Sequence, residues 1–318
     1  MTISTNDAGQ RLDKFLSKAL PSLPPALLYK YIRKKRIKCN GKRCEISTRL
    51  VEGDLLELYI GDEFFIPPED VLSFLRAGKL TGVLYEDANI LAVDKPPGLV
   101  VHEDDDGTTD TLIARILRYL YERGEYSPES ELSFVPSLCN RIDRNTGGIV
   151  LAAKNAEALR ILNEKIRNHE LQKLYVCAVQ GIPSPSEATL TAFLVKDTHA
   201  KQVRISDKKL SGARTIVTKY RVLHAGRAQS LLEVELITGR THQIRAHFAH
   251  IGHPLLGDGK YGDNRINRET GYPRQALYAR KLTFRFITDA GALAYLDGMQ
   301  IEAKDIWFLE RYYAYNTL

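Results

Sequence analysis

The chain has 318 residues, of which 44% are hydrophobic and 26% are charged, proportions typical of a folded globular protein. No apolar run reaches the ~18–20 residues that a membrane helix needs, and the N-terminal residues lack the basic start and apolar run of a secretory signal. The four cysteines show no C-x-x-C spacing, which argues against a disulfide framework or a cysteine-based zinc site. They predict reduced thiols in the cytoplasm.

The positive charge of the chain is concentrated near its N-terminus. Residues 1–60 contain 12 Lys and Arg against 6 Asp and Glu, whereas the rest of the chain contains 33 of each. The whole net charge of +6 therefore lies in the first fifth of the sequence. In a chain long enough for two domains, this asymmetry predicts a small module that binds a polyanion, attached to a larger domain with another task.

The N-terminal module is predicted to contain two helices and a hairpin. Apolar residues recur at helical spacing in its first half, and Asn40-Gly41 is a strong hairpin signal because both turn positions need positive φ. The predicted elements are helices over Arg11–Leu20 and Pro24–Lys35, hairpin strands over Ile37–Cys39 and Lys42–Cys44, and a further strand over Leu55–Ile60.

A run of eight basic residues without an acidic one lies between Lys30 and Arg43. A solvated helix end is one interpretation of such a run. The other interpretation is one continuous face that contacts phosphates, because the run covers both a helix end and the adjoining hairpin. Residues 10–60 resemble the S4-type RNA-binding domain. The residues predicted to contact RNA are Lys30, Arg33, Lys34, Lys35, Arg36, Lys38, Lys42 and Arg43.

Residues 61–82, with Pro67-Pro68 and three glycines, are predicted to be a linker, which leaves an S4-like domain at 1–60 and a larger domain at 83–318. The larger domain mixes strand and helix patterns, which predicts an α+β fold. Its predicted strands are Val83–Tyr85, Ile90–Val93, Ile149–Ala153, Leu174–Val179, Thr215–Val222 and Leu231–Leu236. Its predicted helices are Thr111–Arg123, Ala156–Arg167 and Thr241–Ile251.

Four segments of the larger domain carry residues suited to chemistry, although each key residue alone has an ordinary explanation. Asp143 precedes a Thr-Gly-Gly turn, where a carboxylate commonly bonds backbone amides. Tyr175 fits a core position in a strand, and Thr241 fits a helix cap. The four segments are Asp94–His102, Asn140–Gly148, Lys173–Tyr175 and Thr238–His247.

Four histidines near the last segment raise the question of a metal site. Gly252 and Pro254 break the predicted helix beneath the last pair of them, and the segment from Arg240 to Gly257 contains no Asp, Glu or Cys. Ligands of those types would be needed to complete a set, so the sequence predicts no metal site and argues against a metal-dependent nuclease. The four are His242, His247, His250 and His253.

Together the four segments resemble the RluA-type family of pseudouridine synthases. The resemblance runs from about Val83 to the C-terminus and includes the loop Gly257–Gly262 and a strand at Ala279–Leu282. It implies a catalytic domain with a mixed, mainly antiparallel sheet, behind the S4-like domain of two helices and a hairpin. It also implies isomerisation of uridine to pseudouridine, a reaction that consumes nothing, so no cofactor or metal is expected.

The resemblance assigns Asp143 as the catalytic carboxylate. A cation beside a carboxylate favours its ionised form, and the resemblance implies that Arg245 supplies it, in two-point geometry. It further implies that Tyr175 stacks on the target base and that Ile244 forms an apolar wall. Arg141 would fill the gap left by the extruded base. Lys173 and Arg240 are further candidates for phosphate contact.

Two residues that flank Asp143 depart from the family pattern. Asn140 stands where the family usually has His, and Gly147 where it usually has Ser. Asn can still donate and accept hydrogen bonds, and Gly permits the turn, so we expect the loop to keep its shape. The departures also leave open a non-catalytic RNA-binding factor for ribosome assembly, built on the same fold.

The substrate is expected to be structured RNA. Family members with this N-terminal domain commonly act on large-subunit (23S) ribosomal RNA, which is therefore favoured, with transfer RNA second. Nothing in the sequence indicates a membrane partner or an obligate protein partner, and a monomer is expected.

Overall fold

The computed structural model describes residues 1–66, 70–104, 107–197 and 202–317. Pro67-Pro68 of the predicted linker lies outside these ranges. Within the described ranges, no helix combines the length and apolar character required to cross a membrane.

The N-terminal part consists of two helices and a small antiparallel sheet, as predicted. The sheet has the order β2-β1-β3, and Asn40 and Gly41 between its first two strands have φ values of 51° and 72°. An Asn-Gly pair tolerates this left-handed backbone, which is why the hairpin forms at this position. The elements are α1 (Leu12–Ala19), α2 (Pro25–Arg33), β1 (Ile37–Cys39), β2 (Lys42–Arg43) and β3 (Leu56–Leu58).

This part has a hydrophobic core of its own. Leu12, Phe15 and Leu16 form one stripe of α1 and are fully buried. They pack with Ile32 of α2 and Ile37 of β1 in a single cluster. Side chains three and four residues apart share a helix face, so the sequence pattern leaves the opposite face, with its charges, in solvent.

The rest of the described chain is built on one large sheet. Its order is β10-β9-β11-β12-β8-β13-β7-β5-β4, with β6 paired to β7 and β14 paired to β13. The β13–β7 pair is parallel, and the other described pairs are antiparallel, so the sheet is mixed and mainly antiparallel, as expected. The strands are β4 (Val83–Glu86), β5 (Ile90–Lys95), β6 (Ser137–Leu138), β7 (Gly147–Ala153), β8 (Leu171–Gln180), β9 (Glu187–Asp197), β10 (Gln202–Ser206), β11 (Arg214–Ala225), β12 (Gln229–Leu236), β13 (Leu277–Phe284) and β14 (Gln300–Glu302).

Five helices accompany this sheet, and the first three were predicted to within two residues at each end. The sequence did not predict α6, α7, β6, β9, β10 or β14. In β9, for example, apolar and polar residues do not separate cleanly between the two faces, because Phe193 and Val195 lie on the same face as Thr191. The helices are α3 (Leu112–Glu122), α4 (Ala156–Arg167), α5 (Gln243–His250), α6 (Asn264–Thr270) and α7 (Leu309–Thr317).

Both faces of the central strands are covered, which fixes the side on which each side chain lies. On β8, Val176 and Ala178 pack into the cluster that includes Leu162 of α4. Tyr175 alternates with them and packs on the other face, with Ile244 of α5. Successive side chains of a strand point to opposite faces, so the register of β8 alone directs Tyr175 towards α5.

The predicted linker is in part a packed segment. Phe74 and Ala77 are buried in the cluster that contains Leu91 of β5, so residues 73–77 belong to the packing of the larger part. Contacts also join the two parts of the chain. Asp7 accepts a hydrogen bond from Ser133 at 2.6 Å, and the Arg160 guanidinium donates to the Ala8 carbonyl at 2.8 Å.

Candidate active site

Asp143 lies on the connection between β6 and β7, which are paired antiparallel as a hairpin. Asn140 fastens the base of this loop because its side-chain oxygen accepts from the Leu151 N–H at 2.8 Å, and its amide donates to the Ile149 carbonyl at 3.3 Å. At the tip, the Thr146 N–H donates to the Asp143 carbonyl at 3.0 Å. Asn140 therefore holds the loop by both hydrogen-bonding groups, as the sequence analysis expected.

A buried lysine braces the loop from the other side. Lys95, at the end of β5, is fully buried, and its Nζ donates to the carbonyls of Pro96, Leu99 and Arg144 at 2.8–3.0 Å. Burial lowers the pKa of Lys95 to about 7. Three carbonyl acceptors match the three N–H groups of an ammonium, which opposes this shift. Lys95 thus ties the Pro-Gly turn to the residue that follows Asp143.

Gly147 is explained by the packing of one aromatic ring. A Cβ at this position would lie 2.4 Å from the Tyr278 ring. The Tyr278 hydroxyl donates to Asp94 at 2.7 Å, which holds the ring in place. The glycine therefore accommodates Tyr278, and Gly148 beside it has φ 111° and would clash with the Ala279 backbone if it carried a Cβ.

Replacing Gly147 by Ser, the usual family residue, is expected to destabilise this chain. The added atoms must displace the Tyr278 ring, and overpacking of this kind costs about 1–3 kcal/mol. Urea unfolding of Gly147→Ser would measure the loss, with Gly239→Ala as the control because a Cβ there meets nothing within 4 Å. Equal stability of the two variants would contradict the steric explanation.

Helix α5 begins two residues later than the sequence suggested. Its N-cap is His242 rather than Thr241, and its first residue is Gln243. The Gln243 side chain is buried, and its Oε1 accepts hydrogen bonds from the Thr238 hydroxyl and the Arg240 N–H in the preceding loop. Its Nε2 donates to the Val217 carbonyl of β11 at 3.1 Å. These bonds fix the start of α5, and with it the direction of Arg245.

Arg245 joins two carboxylates. Its Nη1 donates to Asp143 Oδ2 at 2.8 Å, a single hydrogen bond. The two-point geometry predicted for Asp143 goes instead to Asp258, which accepts from Nε at 2.7 Å and from Nη2 at 2.9 Å. The prediction of two-point contact with Asp143 was therefore wrong. Asp258 takes the guanidinium fork because it is fully buried beside it, whereas Asp143 lies at the wall of a cavity.

The charge balance of this triad keeps the arginine charged. Burial alone would lower the pKa of Arg245, but the hydrogen bonds and charge of Asp258, followed by those of Asp143, raise it above its ordinary value. Burial would likewise raise the pKa of Asp258, yet its bonds to Arg245 lower it. Asp258 thus balances the charge of the buried guanidinium through Nε and Nη2, and Nη1 donates to Asp143.

Asp143 uses only one of its oxygens within the described part of the chain. Oδ2 accepts the Arg245 bond, and Oδ1 accepts no hydrogen bond from any described residue. Tyr175 and Ile244, at 6% and 3% exposure, pack in one cluster with half-buried Ile142, the residue before Asp143. Burial, and then the charge of Asp143, raises the pKa of Tyr175, so its hydroxyl stays protonated.

These groups open onto a cavity of about 880 Å³. Its wall contains both acidic and basic side chains together with Tyr175 and Ile244, a combination suited to a nucleotide, which has an anionic backbone and a flat base. All residues predicted from the sequence for catalysis or substrate binding in this domain line it, namely Asp143, Tyr175, Arg245, Arg141, Ile244, Arg240 and Lys173.

The basic residues of the wall differ in exposure. Arg141 and Arg240 are exposed, and Lys173 is half-buried, where burial lowers its pKa. Arg141 stands two residues before Asp143, at the cavity wall, where a side chain could enter the space left by an extruded base.

The four histidines do not converge. His242 bonds Tyr261, buried His247 bonds Thr218, and His253 bonds the Gln180 carbonyl. His250 bonds Asp207 on the surface. Across the described ranges, no group of three or more His, Cys, Asp or Glu side chains is arranged to hold a metal ion.

The basic run of the N-terminal part forms an exposed surface. Seven of its eight residues are exposed and Lys38 is half-buried, and none of them forms an ion pair with another described residue. Arg36 lies 5.5 Å from the ring centre of Tyr31, and Lys38 lies 5.3 Å from that of Tyr59. An unpaired basic surface of this kind suits phosphate contact. Its residues are Lys30, Arg33, Lys34, Lys35, Arg36, Lys38, Lys42 and Arg43.

Sequence reasoning missed several residues of the site. Asp258, Tyr261 and Lys95 lie in segments that had been singled out, but no role was given to them. Their signal was a charged or polar residue inside a glycine- or proline-rich turn. Their partners, however, lie far away in the chain, and spacing alone does not identify such contacts.

Two family models match this chain. The family model described as RNA pseudouridylate synthase matches residues 89–250, and the S4 domain model matches residues 10–56. The chain is 32% identical over 299 residues to the ribosomal large subunit pseudouridine synthase C of Escherichia coli, covering 89% of this chain and 88% of that protein. It is 33% identical over 279 residues to an uncharacterised RNA pseudouridine synthase of Mycoplasma genitalium, covering 86% of this chain and 85% of that protein.

Solved structures show the same fold. The human RNA pseudouridylate synthase domain containing 4 protein superposes with a TM-score of 0.58 at 22% identity, covering 73% of this chain and 92% of that one. The human RNA pseudouridylate synthase domain containing 1 protein superposes with a TM-score of 0.53 at 20% identity, covering 74% of this chain and 94% of that one. The chain therefore belongs to the RNA pseudouridylate synthase family, as the RluA-type resemblance predicted, and carries an S4 domain at its N-terminus.

Proposed function

We propose that this chain isomerises uridine in large-subunit ribosomal RNA, with Asp143 as the catalytic carboxylate. The observation that carries the proposal is the position of Asp143. Its Oδ2 is held by Arg245 at 2.8 Å, while its Oδ1 accepts no bond from the described residues beside a cavity lined by Tyr175 and Ile244.

The reaction breaks the bond between N1 of the uracil and C1′ of the ribose, turns the uracil, and joins C5 to C1′. The C5 proton is lost and N1 gains a proton, so the product is an isomer of the substrate. A carboxylate serves this reaction by attacking C1′, by stabilising positive charge there, or by removing a proton. Each role needs an ionised oxygen that is free to approach the ribose. The arrangement around Asp143 supports Oδ1 as that oxygen.

The other side chains of the cavity are proposed to hold the extruded nucleotide. Tyr175 stacks on the uracil, and Ile244 confines it from the side. Arg141 occupies the gap in the RNA from which the base has left. Lys173 and Arg240 contact flanking phosphates, where their charges offset those of the backbone.

The choice of RNA follows from the relatives. Those named ribosomal large subunit pseudouridine synthase C align over nearly the whole chain, S4 domain included, and this supports ribosomal RNA ahead of transfer RNA. We propose that the chain acts as a monomer in the cytoplasm, where all four of its free cysteines would remain reduced. We propose the domain limits 1–60 and 83–318, with residues 61–82 between them.

The test is tritium release from large-subunit RNA that carries tritium at C5 of uridine and lacks modifications. Pseudouridine formation replaces the C5–H bond, so an active enzyme transfers the label to water. Release from ribosomal RNA is expected. Tritium release from transfer RNA alone would make transfer RNA the substrate. No release from either RNA, with RNA binding intact, would indicate the non-catalytic RNA-binding factor.

The basic surface is proposed to bind RNA phosphates. Neutralising Lys34, Lys35 and Arg36 to Gln should weaken binding and reduce the slope of log K against log salt by about 2, because each phosphate contact contributes ~0.7–0.9. Turnover of a short substrate at saturation should survive. Binding measured by fluorescence anisotropy over a salt series checks this.

The matched control removes the same charge elsewhere. Arg265, Arg268 and Lys304 are exposed in the larger part of the chain, and their replacement by Gln should leave the salt slope nearly unchanged. If both triple variants reduce the slope of log K against log salt by the same amount, the effect comes from net charge, and the basic run is not a specific RNA surface.

A further inference from the structure

His242 lies beside Asp143 and has no role in the reaction as described so far. It is the last residue before α5, with φ 54° and ψ 19°. A non-glycine residue in this left-handed region costs conformational free energy, and such residues cluster at functional sites. In this conformation its Nε2 is 3.9 Å from Asp143 Oδ2, and the side chain is only 17% exposed.

A chain of hydrogen bonds leads from the Val203 backbone to the ring of His242. The Val203 N–H donates to the Tyr261 hydroxyl oxygen at 3.1 Å, and that oxygen is 2.8 Å from His242 Nδ1. A backbone N–H can only donate, so it takes one lone pair of the hydroxyl oxygen, and the single hydroxyl proton is available to Nδ1. When the hydroxyl donates to Nδ1, that nitrogen is an acceptor and a neutral ring carries its proton on Nε2.

The surroundings favour a neutral ring. Burial lowers the pKa of His242, and the positive charges of Arg245 and Lys260 lower it further. The negative charges of Asp143 and, to a smaller extent, Asp258 oppose this shift. Tyr261 also packs against the guanidinium of Arg245, at 5.2 Å from ring centre to Cζ. One tyrosine therefore contacts both neighbours of the catalytic carboxylate.

We propose that His242 is a positioning residue, whose Nε2–H donates to Asp143 Oδ2 once substrate fills the cavity. Together with Arg245 it engages Oδ2 twice, so the carboxylate presents Oδ1 to the ribose and cannot turn. The separation of 3.9 Å is longer than a hydrogen bond, but bonds of this kind tighten when a substrate excludes water. This inference rests on the proposed function of Asp143.

The tautomer can be tested without RNA. Nitrogen-15 NMR of the full chain labelled at histidine, recorded at pH 7, should show one ring that is neutral and protonated on Nε2. His242→Gln identifies the signal by its loss. A His242 ring protonated on Nδ1, or on both nitrogens, would overturn the proposal whatever the RNA substrate proves to be.

The role can be tested by tritium release with two variants. His242→Ala should lower kcat about 10- to 100-fold, the value of one hydrogen bond to a charged group, with KM close to wild type. His242→Gln should recover most of that loss, because its amide N–H reaches a similar position. A glutamine variant as slow as the alanine variant, or an alanine variant as fast as wild type, would overturn the role. Silence from the wild type would overturn the proposed function, and this role with it.

Discussion

Asp143→Asn should abolish tritium release from uridine-labelled ribosomal RNA while the protein still folds and binds RNA. The amide keeps the shape of the carboxylate but can neither attack C1′ nor take up a proton at neutral pH. A positioned acid or base contributes ~10²–10⁴-fold, so we expect a loss of at least about 10³-fold in kcat. Residual release is measured over hours at saturating RNA, with circular dichroism to confirm folding.

Glu103→Gln is the matched control, because Glu103 lines the same cavity and the substitution removes the same charge. Its rate should remain within an order of magnitude of wild type. Comparable losses in the two variants would mean that negative charge in the cavity matters and that Asp143 has no special position. An active Asp143→Asn protein would refute the assignment of the catalytic carboxylate.

Asp258→Asn is expected to be the most destabilising single substitution of the site. Asp258 is fully buried and accepts two bonds from Arg245, whereas asparagine offers one acceptor and no charge. Breaking a buried ion pair at one partner costs about 3–5 kcal/mol because the other charge stays buried. The free energy of unfolding in urea measures this, and activity should fall as well, since Arg245 is released from its position beside Asp143.

An exposed ion pair provides the control. Arg265 and Glu269 are one helical turn apart on α6 with side chains 79% and 60% exposed. Glu269→Gln should change stability by less than about 1 kcal/mol, the usual value of a surface pair. Equal effects of the two substitutions would contradict the structural role of Asp258.

The pH dependence of the Asp258 contribution has a definite sign. Its pKa is lower in the folded chain than its ordinary value, so folding favours the ionised form. The stabilisation is therefore present above about pH 4, the pKa of an unfolded aspartate, and is lost as the pH falls through the folded pKa. The difference in stability between wild type and Asp258→Asn should shrink below pH 4.

Much of the architecture could be read from local pattern. Helices α3, α4 and α5 and the strands β5, β7 and β12 follow from apolar periodicity and turn residues, because these signals act over a few neighbouring residues. The Asn40-Gly41 hairpin is of the same kind. The edge strand β10 was missed because it spans only five residues, of which only Val203 is buried.

The family and the residues of the cavity were also identifiable from sequence, since the short motifs around Asp143, Tyr175 and Arg245 together resemble those of the family. What these motifs could not give is the partner of each group. The sequence suggested a two-point bond between Arg245 and Asp143, and the fold gives that bond to Asp258 instead.

The sequence by itself determined the class of enzyme, the two-domain order of the chain and the identity of the carboxylate to test. Only the tertiary structure decided that Arg245 is shared, that Gly147 makes room for Tyr278, and that His242 points at Asp143 through the bond to Tyr261. The physical reason is range. Propensity and periodicity act between neighbours in the chain, whereas charge pairing, steric fit and hydrogen-bond direction depend on atoms that only folding brings together.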